Sequence, residues 1–280
     1  MFTTRFAPSP TGPLHLGHAY SACLAHDMAR AAGGAFLLRI EDIDRSRARA
    51  EWETRIHDDL RWLGLDWPEP VMRQSERGPA YDAALERLGD MGLTYPCRCR
   101  RADIETAAGA PQEGVPQFGP DGRIYPGTCR HRPMAERGSS DVIRLNMRRA
   151  ADRLPALRFV ETGPEHAGTH DIDPMTLTRS IGDPILARRD MAGSYHLSVV
   201  VDDAAQSVTH VIRGADLFEA TALHVALQML LGLPVPSYHH HRLIRDDAGK
   251  RLAKRDDARA ISRYRDEGLT PEDIRRMVGL

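Results

Sequence analysis

Ala7-Pro8-Ser9-Pro10-Thr11-Gly12-Pro13-Leu14-His15-Leu16-Gly17-His18 is the stretch on which the reading of this chain turns. Residues 3–7 before it read as a short strand, the Pro- and Gly-rich piece as a turn, and residues 19–32 as a helix. In a parallel α/β sheet, a strand, a turn and a helix start in that order make a docking place for nucleotide phosphates. The helix N-terminus offers N–H groups and a partial positive charge. His15 and His18, one turn apart, add donors there, and Gly17 lets a flat ring approach the backbone. An isolated H-x-x-H pair is more often structural than catalytic, and it is the strand–turn–helix context that points to phosphate.

Outward from this stretch, residues 36–40 read as a buried strand that ends in Glu41-Asp42. Residues 50–63 and 79–91 have apolar positions at helical spacing. Such alternation implies a parallel α/β sheet, with ligands at the carboxyl ends of strands, where Glu41 and the Pro8 region fall. From 94 to 133 the pattern gives way to a Gly-, Pro- and Cys-rich piece that reads as an insertion. Strands follow at 142–147 and 209–213, with segments 184–187 and 194–203 between them. A helix is expected over 216–233, then segment 238–244, a basic loop at 247–255 and short helices at 259–267 and 271–278. The expected units are 1–93 and 134–237 as halves of one catalytic domain, 94–133 as the insertion, and 238–280 as a loop and helical end.

The 280 residues are 41% hydrophobic and 28% charged, enough for a well-buried core, and the formal net charge of −1 means that any nucleic-acid surface must be local. One local candidate spans residues 242–265, with nine Lys or Arg against four Asp. It reads equally as a solvated basic face or as a contact to an RNA backbone. The N-terminus lacks a signal-peptide pattern, and no run approaches the ~20 apolar residues of a membrane span. The expectation is a cytoplasmic protein without membrane attachment, whose four cysteines are thiols or metal ligands rather than disulfides.

Cys97-x-Cys99 with Cys129 downstream has the spacing of a structural zinc site. On residue chemistry the fourth ligand would be His131, and three reduced thiols are the plain alternative. Cys23 lies on the apolar spacing of a helix and reads as core. His239-His240-His241 is assigned no role. Lys254, in the basic loop, could close over a phosphate and neutralise charge that grows in nucleotidyl transfer.

Together these pieces resemble the class I aminoacyl-tRNA synthetases, in particular the glutamyl branch. The resemblance is carried by residues 5–12 with His15-Leu16-Gly17-His18, by Leu38-Arg39-Ile40-Glu41-Asp42-Ile43-Asp44, by Thr209-His210-Val211-Ile212-Arg213-Gly214, and by Arg251-Leu252-Ala253-Lys254-Arg255. It implies a Rossmann-type α/β catalytic domain, a zinc-bearing insertion and a short helical C-terminal segment. The implied activity makes an aminoacyl-adenylate from ATP and amino acid, with magnesium accompanying ATP. His15, Gly17, His18 and Lys254 would serve ATP. Arg5 and Arg213, fork-shaped donors for a carboxylate, and Glu41, for the ammonium, would hold L-glutamate, with Ala7, Ser9 and Tyr195 lining the pocket. Unaided, the residues favour a plain Arg5–Glu41 ion pair. The resemblance also implies Tyr125, ahead of His131, beside Cys97, Cys99 and Cys129, with one zinc per chain in a structural role.

Two departures refine the expectation. Ala253 stands where the family usually has serine, which removes a hydroxyl near phosphate. Glutamyl-tRNA synthetases continue into a long anticodon-reading region, whereas some twenty-five residues follow Lys254 here. The chain thus looks like the truncated members of the branch, monomers that lack an anticodon-binding domain and attach glutamate to queuosine in the anticodon stem-loop of tRNA(Asp). The alternatives are a minimal enzyme that charges the tRNA 3′ end and a non-catalytic glutamate-, ATP- or RNA-binding paralogue.

Overall fold

The computed structural model describes residues 1–107, 117–120, 122–189, 191–245 and 259–280. Lys254, Ala253 and the rest of the expected lysine loop lie outside the described residues. In chain order the first half contains β1 (Thr3–Phe6), α1 (Leu16–Ala31), β2 (Ala35–Ile40), α2 (Ala50–Trp62), β3 (Met72–Arg73), α3 (Gly78–Asp90), β4 (Thr94–Cys97), α4 (Arg101–Ala107), β5 (Phe118–Gly119) and β6 (Gly122–Arg123). The second half contains β7 (Val142–Leu145), α5 (Met147–Ala151), β8 (Leu157–Glu161), β9 (Gly168–Ile172), α6 (Pro174–Ser180), β10 (Ile185–Ala187), α7 (Tyr195–Ala205), β11 (His210–Gly214), α8 (Thr221–Leu230), β12 (Ser237–His241), α9 (Ile261–Asp266) and α10 (Pro271–Val278).

The architecture is the Rossmann-type α/β fold expected from the sequence. Strand β2 pairs in parallel with both β1 and β3, and β12 pairs in parallel with both β11 and β8. The two ladders meet where β1 lies beside β11. There Thr209 N donates to Thr3 O at 3.0 Å, and Thr3 N to Thr209 Oγ1 at 2.8 Å. The strand order β3-β2-β1 therefore continues into β11-β12, and the direction of winding reverses at β1 and β11. Open sheets bind ligands at the carboxyl side of such a switch point. Arg5 on β1, Arg213 on β11 and Glu41, one residue past β2, all reach that end of the sheet.

Helix α1 buries Leu16, Ala19, Ala22, Cys23, Ala25 and Ala29 against the first ladder, and small alanines allow close approach. It ends at Gly33, which takes a φ of +61°. Gly34 then passes so close to the first strand that a Cβ there would lie 1.9 Å from the Phe2 carbonyl oxygen.

Three segments differ from their sequence expectation. Residues 194–203, left without an element, form most of helix α7, capped where the Ser194 hydroxyl accepts from Leu197 N. The helix expected over 216–233 begins as a 3-10 turn, Ala215–Ala220, before α8. The Leu217 carbonyl there accepts from Arg213 Nη2 at 3.1 Å. Strand β7 pairs antiparallel with β4 and β10 in a separate small sheet. Hydrophobic pattern alone does not report strand direction.

Replacing Gly34 with Ala is expected to destabilise the protein by about 1–3 kcal/mol, because the clash is with backbone that cannot rotate away. Gly33→Ala, at an open position, should cost only the strain of its positive φ. Urea midpoints of the two variants check the order.

Candidate active site

Four charged side chains form a chain across the switch point. Asp203 Oδ1, near the end of α7, accepts from Arg5 Nε at 3.0 Å and from Arg39 Nη1 at 2.7 Å. Arg39, fully buried, also donates to Gln206 Oε1 at 2.9 Å and to Glu41 Oε1 at 3.3 Å. Burial alone would raise Asp203's pKa. The Arg5 and Arg39 guanidiniums outweigh it and hold the carboxyl below the usual aspartate range. For Glu41 burial prevails over Arg39 and Arg5, and its pKa is raised. Arg5 and Glu41 thus take different first partners rather than each other. Arg5 Nη1 also reaches the Ile212 carbonyl at 3.3 Å, and Nη2 stays outside these bonds. Burial raises the pKa of the Tyr195 hydroxyl, and the charges it feels belong to Arg213, Glu41, Arg5 and Asp203. The structure thereby brings the expected Arg5, Glu41, Tyr195 and Arg213 to one place.

Arg213 is held differently. Its Nε donates to His240 Nε2 at 3.0 Å and its Nη1 to His224 Nδ1 at 2.9 Å. Nη2 donates to the Leu217 carbonyl at 3.1 Å and to Thr221 Oγ1 at 2.8 Å. The guanidinium also lies over the Tyr238 ring, 5.2 Å from its centroid. Both imidazoles present a lone pair to Arg213, so both are neutral. His224 carries its proton on Nε2, toward His196 Nδ1 at 2.9 Å, and His240 carries its proton on Nδ1, toward Glu161 Oε2 at 2.5 Å. Burial, reinforced by Arg213, pushes His224 well below the ordinary histidine value and His240 down to about 4. Among the described residues, no carboxylate lies within ion-pair distance of Arg213, which is 5% exposed.

At the tip of α1 the two front histidines cap the helix. His15 Nδ1 accepts from Gly17 N at 3.1 Å, and His18 Nδ1 accepts from His15 N at 3.1 Å. Their rings lie 3.8 Å apart. Gly17 gives this fold-back room, since a Cβ there would sit 3.0 Å from His15 Cε1 and press on the ring. His15 also pairs with Ala260, and Ile261 N donates to Leu14 O at 2.9 Å. The chain that follows residues 246–258 therefore returns directly to the histidine tip. Ala7 and Ser9 lie in the turn between β1 and α1, which is tied to the β2 end where Glu41 N donates to Pro8 O at 3.0 Å.

Away from this cleft, the Cys97, Cys99 and Cys129 sulfurs lie within 4.8 Å of one another. A tetrahedral zinc with bonds of about 2.3 Å needs sulfurs about 4 Å apart, so the three thiols fit. The Tyr125 hydroxyl sits among them, 3.3 Å from Cys97 Sγ and 3.4 Å from Cys99 Sγ, and accepts from Cys129 N at 2.8 Å. His131 is exposed and outside this group. Burial would raise the Cys129 thiol, but bonds from Tyr125 and neighbouring donors bring it down to about 7. Cys23 is buried in α1, where desolvation raises its thiol to about 11.

Asp203, Arg39, His224, His240 and Glu161 were not singled out as site residues. The adjacent carboxylates Asp202 and Asp203, closing an apolar run on α7, were the available signal, because charge in a buried segment needs a partner. Asp202 takes Tyr81 OH at 2.7 Å, Gln74 Nε2 at 3.0 Å and Arg77 Nε at 3.2 Å.

A doubly wound sheet with charged residues converging on its switch point and a histidine-tipped helix beside it defines a nucleotide-binding catalytic domain of the Rossmann type. All 280 residues match the family described as tRNA synthetases class I (E and Q), catalytic domain, and the chain belongs to that family. A glutamyl-Q tRNA(Asp) synthetase of Rhodobacter capsulatus is 65% identical over 280 residues, covering 99% of each chain. One from Nocardia farcinica is 44% identical over 272 residues, 96% of this chain and 81% of that one. Among solved structures, a glutamate-tRNA synthetase from Elizabethkingia anophelis superposes with a TM-score of 0.73 at 27% identity. It is matched by the whole of this chain over 61% of its own length. No helix among the described residues is long and apolar enough to cross a membrane.

Asp203→Asn would leave two buried guanidiniums without their shared anion and is expected to cost about 3–5 kcal/mol at neutral pH. Since Asp203's folded pKa lies below its unfolded value of about 3.9, its ionised form stabilises the fold above that pH, and the contribution is lost as pH falls through the lower folded value. The variant's stability should consequently vary less across the acid limb. Denaturant unfolding at a series of pH values reads both effects.

Proposed function

We propose that this protein activates L-glutamate with ATP and transfers the glutamyl group to queuosine in the anticodon of tRNA(Asp), a reading supported by its similarity to glutamyl-Q tRNA(Asp) synthetases. The observation that carries the amino-acid assignment is Arg213: a buried cation whose hydrogen-bond partners among the described residues are all uncharged. A buried charge without a counterion is costly, and an anionic ligand removes that cost. A glutamate side-chain carboxylate supplies the anion and a glutamine amide does not. Four of Arg213's five N–H groups are committed, which leaves one on Nη1 for the ligand. Arg5 offers Nη2, and Glu41 is positioned to accept from the ammonium, with Tyr195, Ala7 and Ser9 lining the pocket.

In the first step a glutamate α-carboxylate oxygen attacks the α-phosphorus of ATP, and pyrophosphate leaves. In the second, a nucleophile of queuosine attacks the acyl carbon, and AMP leaves. His15 and His18, with the backbone at Gly17, serve the phosphates once their rings turn from capping the helix. Lys254 stabilises the charge that grows on them. Lys254 is six positions before Ala260, which pairs with His15, so its reach is about 20 Å at full extension. Magnesium would be held by phosphate and water.

The same reading takes residues 94–133 as a zinc-bearing insertion between the catalytic halves 1–93 and 134–237, with 238–280 as the lysine-loop and helical end. Cys97, Cys99, Cys129 and Tyr125 would hold one structural zinc and so tie down a piece with a small core of its own. The protein works as a cytoplasmic monomer on the anticodon stem-loop.

Three measurements test this. Glutamate-dependent ATP–pyrophosphate exchange should be present without tRNA and should fall by orders of magnitude in Lys254→Ala; its absence from folded wild-type protein overturns the activity. Labelled glutamate should appear on queuosine after nuclease digestion, whereas label on the 3′ adenosine identifies a minimal glutamyl-tRNA synthetase. Metal analysis should find one zinc per chain, and chelation should lower the unfolding temperature while leaving the charge network intact.

A further inference from the structure

We propose that Glu161 is a positioning residue for substrate selection, acting through His240 to hold Arg213 in place without neutralising it. The inference rests on the reading of Arg213 as the group that meets the substrate's side-chain carboxylate.

Glu161 ends β8 and is buried, with all its hydrogen bonds directed at one neighbour and one turn. Its Oε1 accepts from His240 N at 2.9 Å and from Gly163 N at 2.6 Å, and its Oε2 accepts from His240 Nδ1 at 2.5 Å. The turn is built for this: a Cβ at Gly163 would fall 2.2 Å from the His240 carbonyl oxygen and 2.7 Å from Glu161 Oε1. An ionised carboxylate only accepts, so His240 must place its proton on Nδ1. The Nε2 lone pair then faces Arg213 Nε at 3.0 Å. One imidazole thus converts an anion's demand for a proton into a neutral acceptor for a cation.

The contrast with Arg5 shows why the spacer matters. Arg5 meets the Asp203 carboxylate directly, so its charge is already shared. Had Glu161 reached Arg213 directly, the pair would satisfy each other, and a glutamate carboxylate would have to displace a protein carboxylate. With His240 between them, Arg213 is oriented yet keeps its charge for a ligand. His224 does the same from the other side, donating onward to His196.

The decisive variant is Glu161→Gln. Its amide oxygen can keep the two backbone N–H groups, but its NH₂ then points at His240 Nδ1 and forces the imidazole proton onto Nε2, against Arg213 Nε–H. The expected result is a rise in KM for glutamate on the order of tenfold, from a lost bond to a buried charged group, with KM for ATP unchanged. His240→Gln restores an oxygen acceptor for Arg213 that does not depend on residue 161. Adding Glu161→Gln in that background should change KM for glutamate no further. Equal effects of Glu161→Gln with and without His240→Gln, or parallel rises in both KM values, would overturn the proposal.

A measurement on the wild-type protein is independent of activity and of variant folding. Imidazole ¹⁵N shifts at neutral pH should report His240 protonated on Nδ1 alone, and a proton on Nε2 removes the premise. If glutamate-dependent exchange is absent while the Nδ1 tautomer is present, the functional reading has failed and the Glu161–His240–Arg213 relay has not.

Discussion

The charge network at the switch point depends on one carboxylate. Asp203 sits at the end of α7 and binds guanidiniums from two adjacent parallel strands, Arg5 from β1 and Arg39 from β2. Neither cation could be buried at the sheet's carboxyl edge alone, since desolvating an unpaired charge costs several kcal/mol. Asp203 therefore decides which way both arginines point. Through Arg39 it also orients Glu41. Asp202 next to it fastens the same helix to Gln74, Arg77 and Tyr81. The outcome is a charge network in which Arg5, Arg39, Glu41 and Asp203 are matched against one another.

Arg213 meets no carboxylate directly among the described residues. Its direct partners, two imidazoles, a hydroxyl and a carbonyl, are polar and uncharged. Imidazoles suit this use, because each can accept from a cation and pass its own proton to a second group. Selectivity for an acid over its amide in the proposed reaction then follows from electrostatics. A neutral amide would leave the cation uncompensated in a low-dielectric cleft, a larger penalty than the loss of one hydrogen bond. The two arginines that the family resemblance treats alike have different electrostatic jobs.

The cysteine cluster belongs to a different mechanical problem. Among the described residues of 94–133, the core is little more than Tyr95, Cys97, Tyr125 and Cys129. Arg144 stacks on the Tyr125 ring at 3.9 Å and donates to the Asp183 carbonyl at 2.7 Å, so the cluster is fastened to the small antiparallel sheet. Tyr125 accepts from Cys129 N as well as approaching the thiols. It therefore orders the site whether or not its oxygen also serves as a ligand. His131, the choice made on residue chemistry, points instead to solvent, because spacing along the chain says which residues are near and not which way a turn aims them.

Local order along the chain was enough to reveal the strand–turn–helix at residues 3–32, the carboxylate after the strand at 36–40, the α/β class and the cysteine triad. Each of these is written in consecutive residues, as a periodicity, a turn chemistry or a spacing. Folding alone could reveal the partners. Asp203 meets Arg5 across 198 positions and His240 meets Glu161 across 79, distances over which no periodicity carries information. The same holds for the histidines at residues 239–241, which looked alike in sequence. One of them faces Arg213 because β12 pairs with β11 in a register that sets His240 beside it. Sequence determined that this chain would build a parallel sheet ending in charged residues. Tertiary structure decided which of those charges pair directly and which is met by neutral imidazoles instead, because charge compensation is settled by contacts in space.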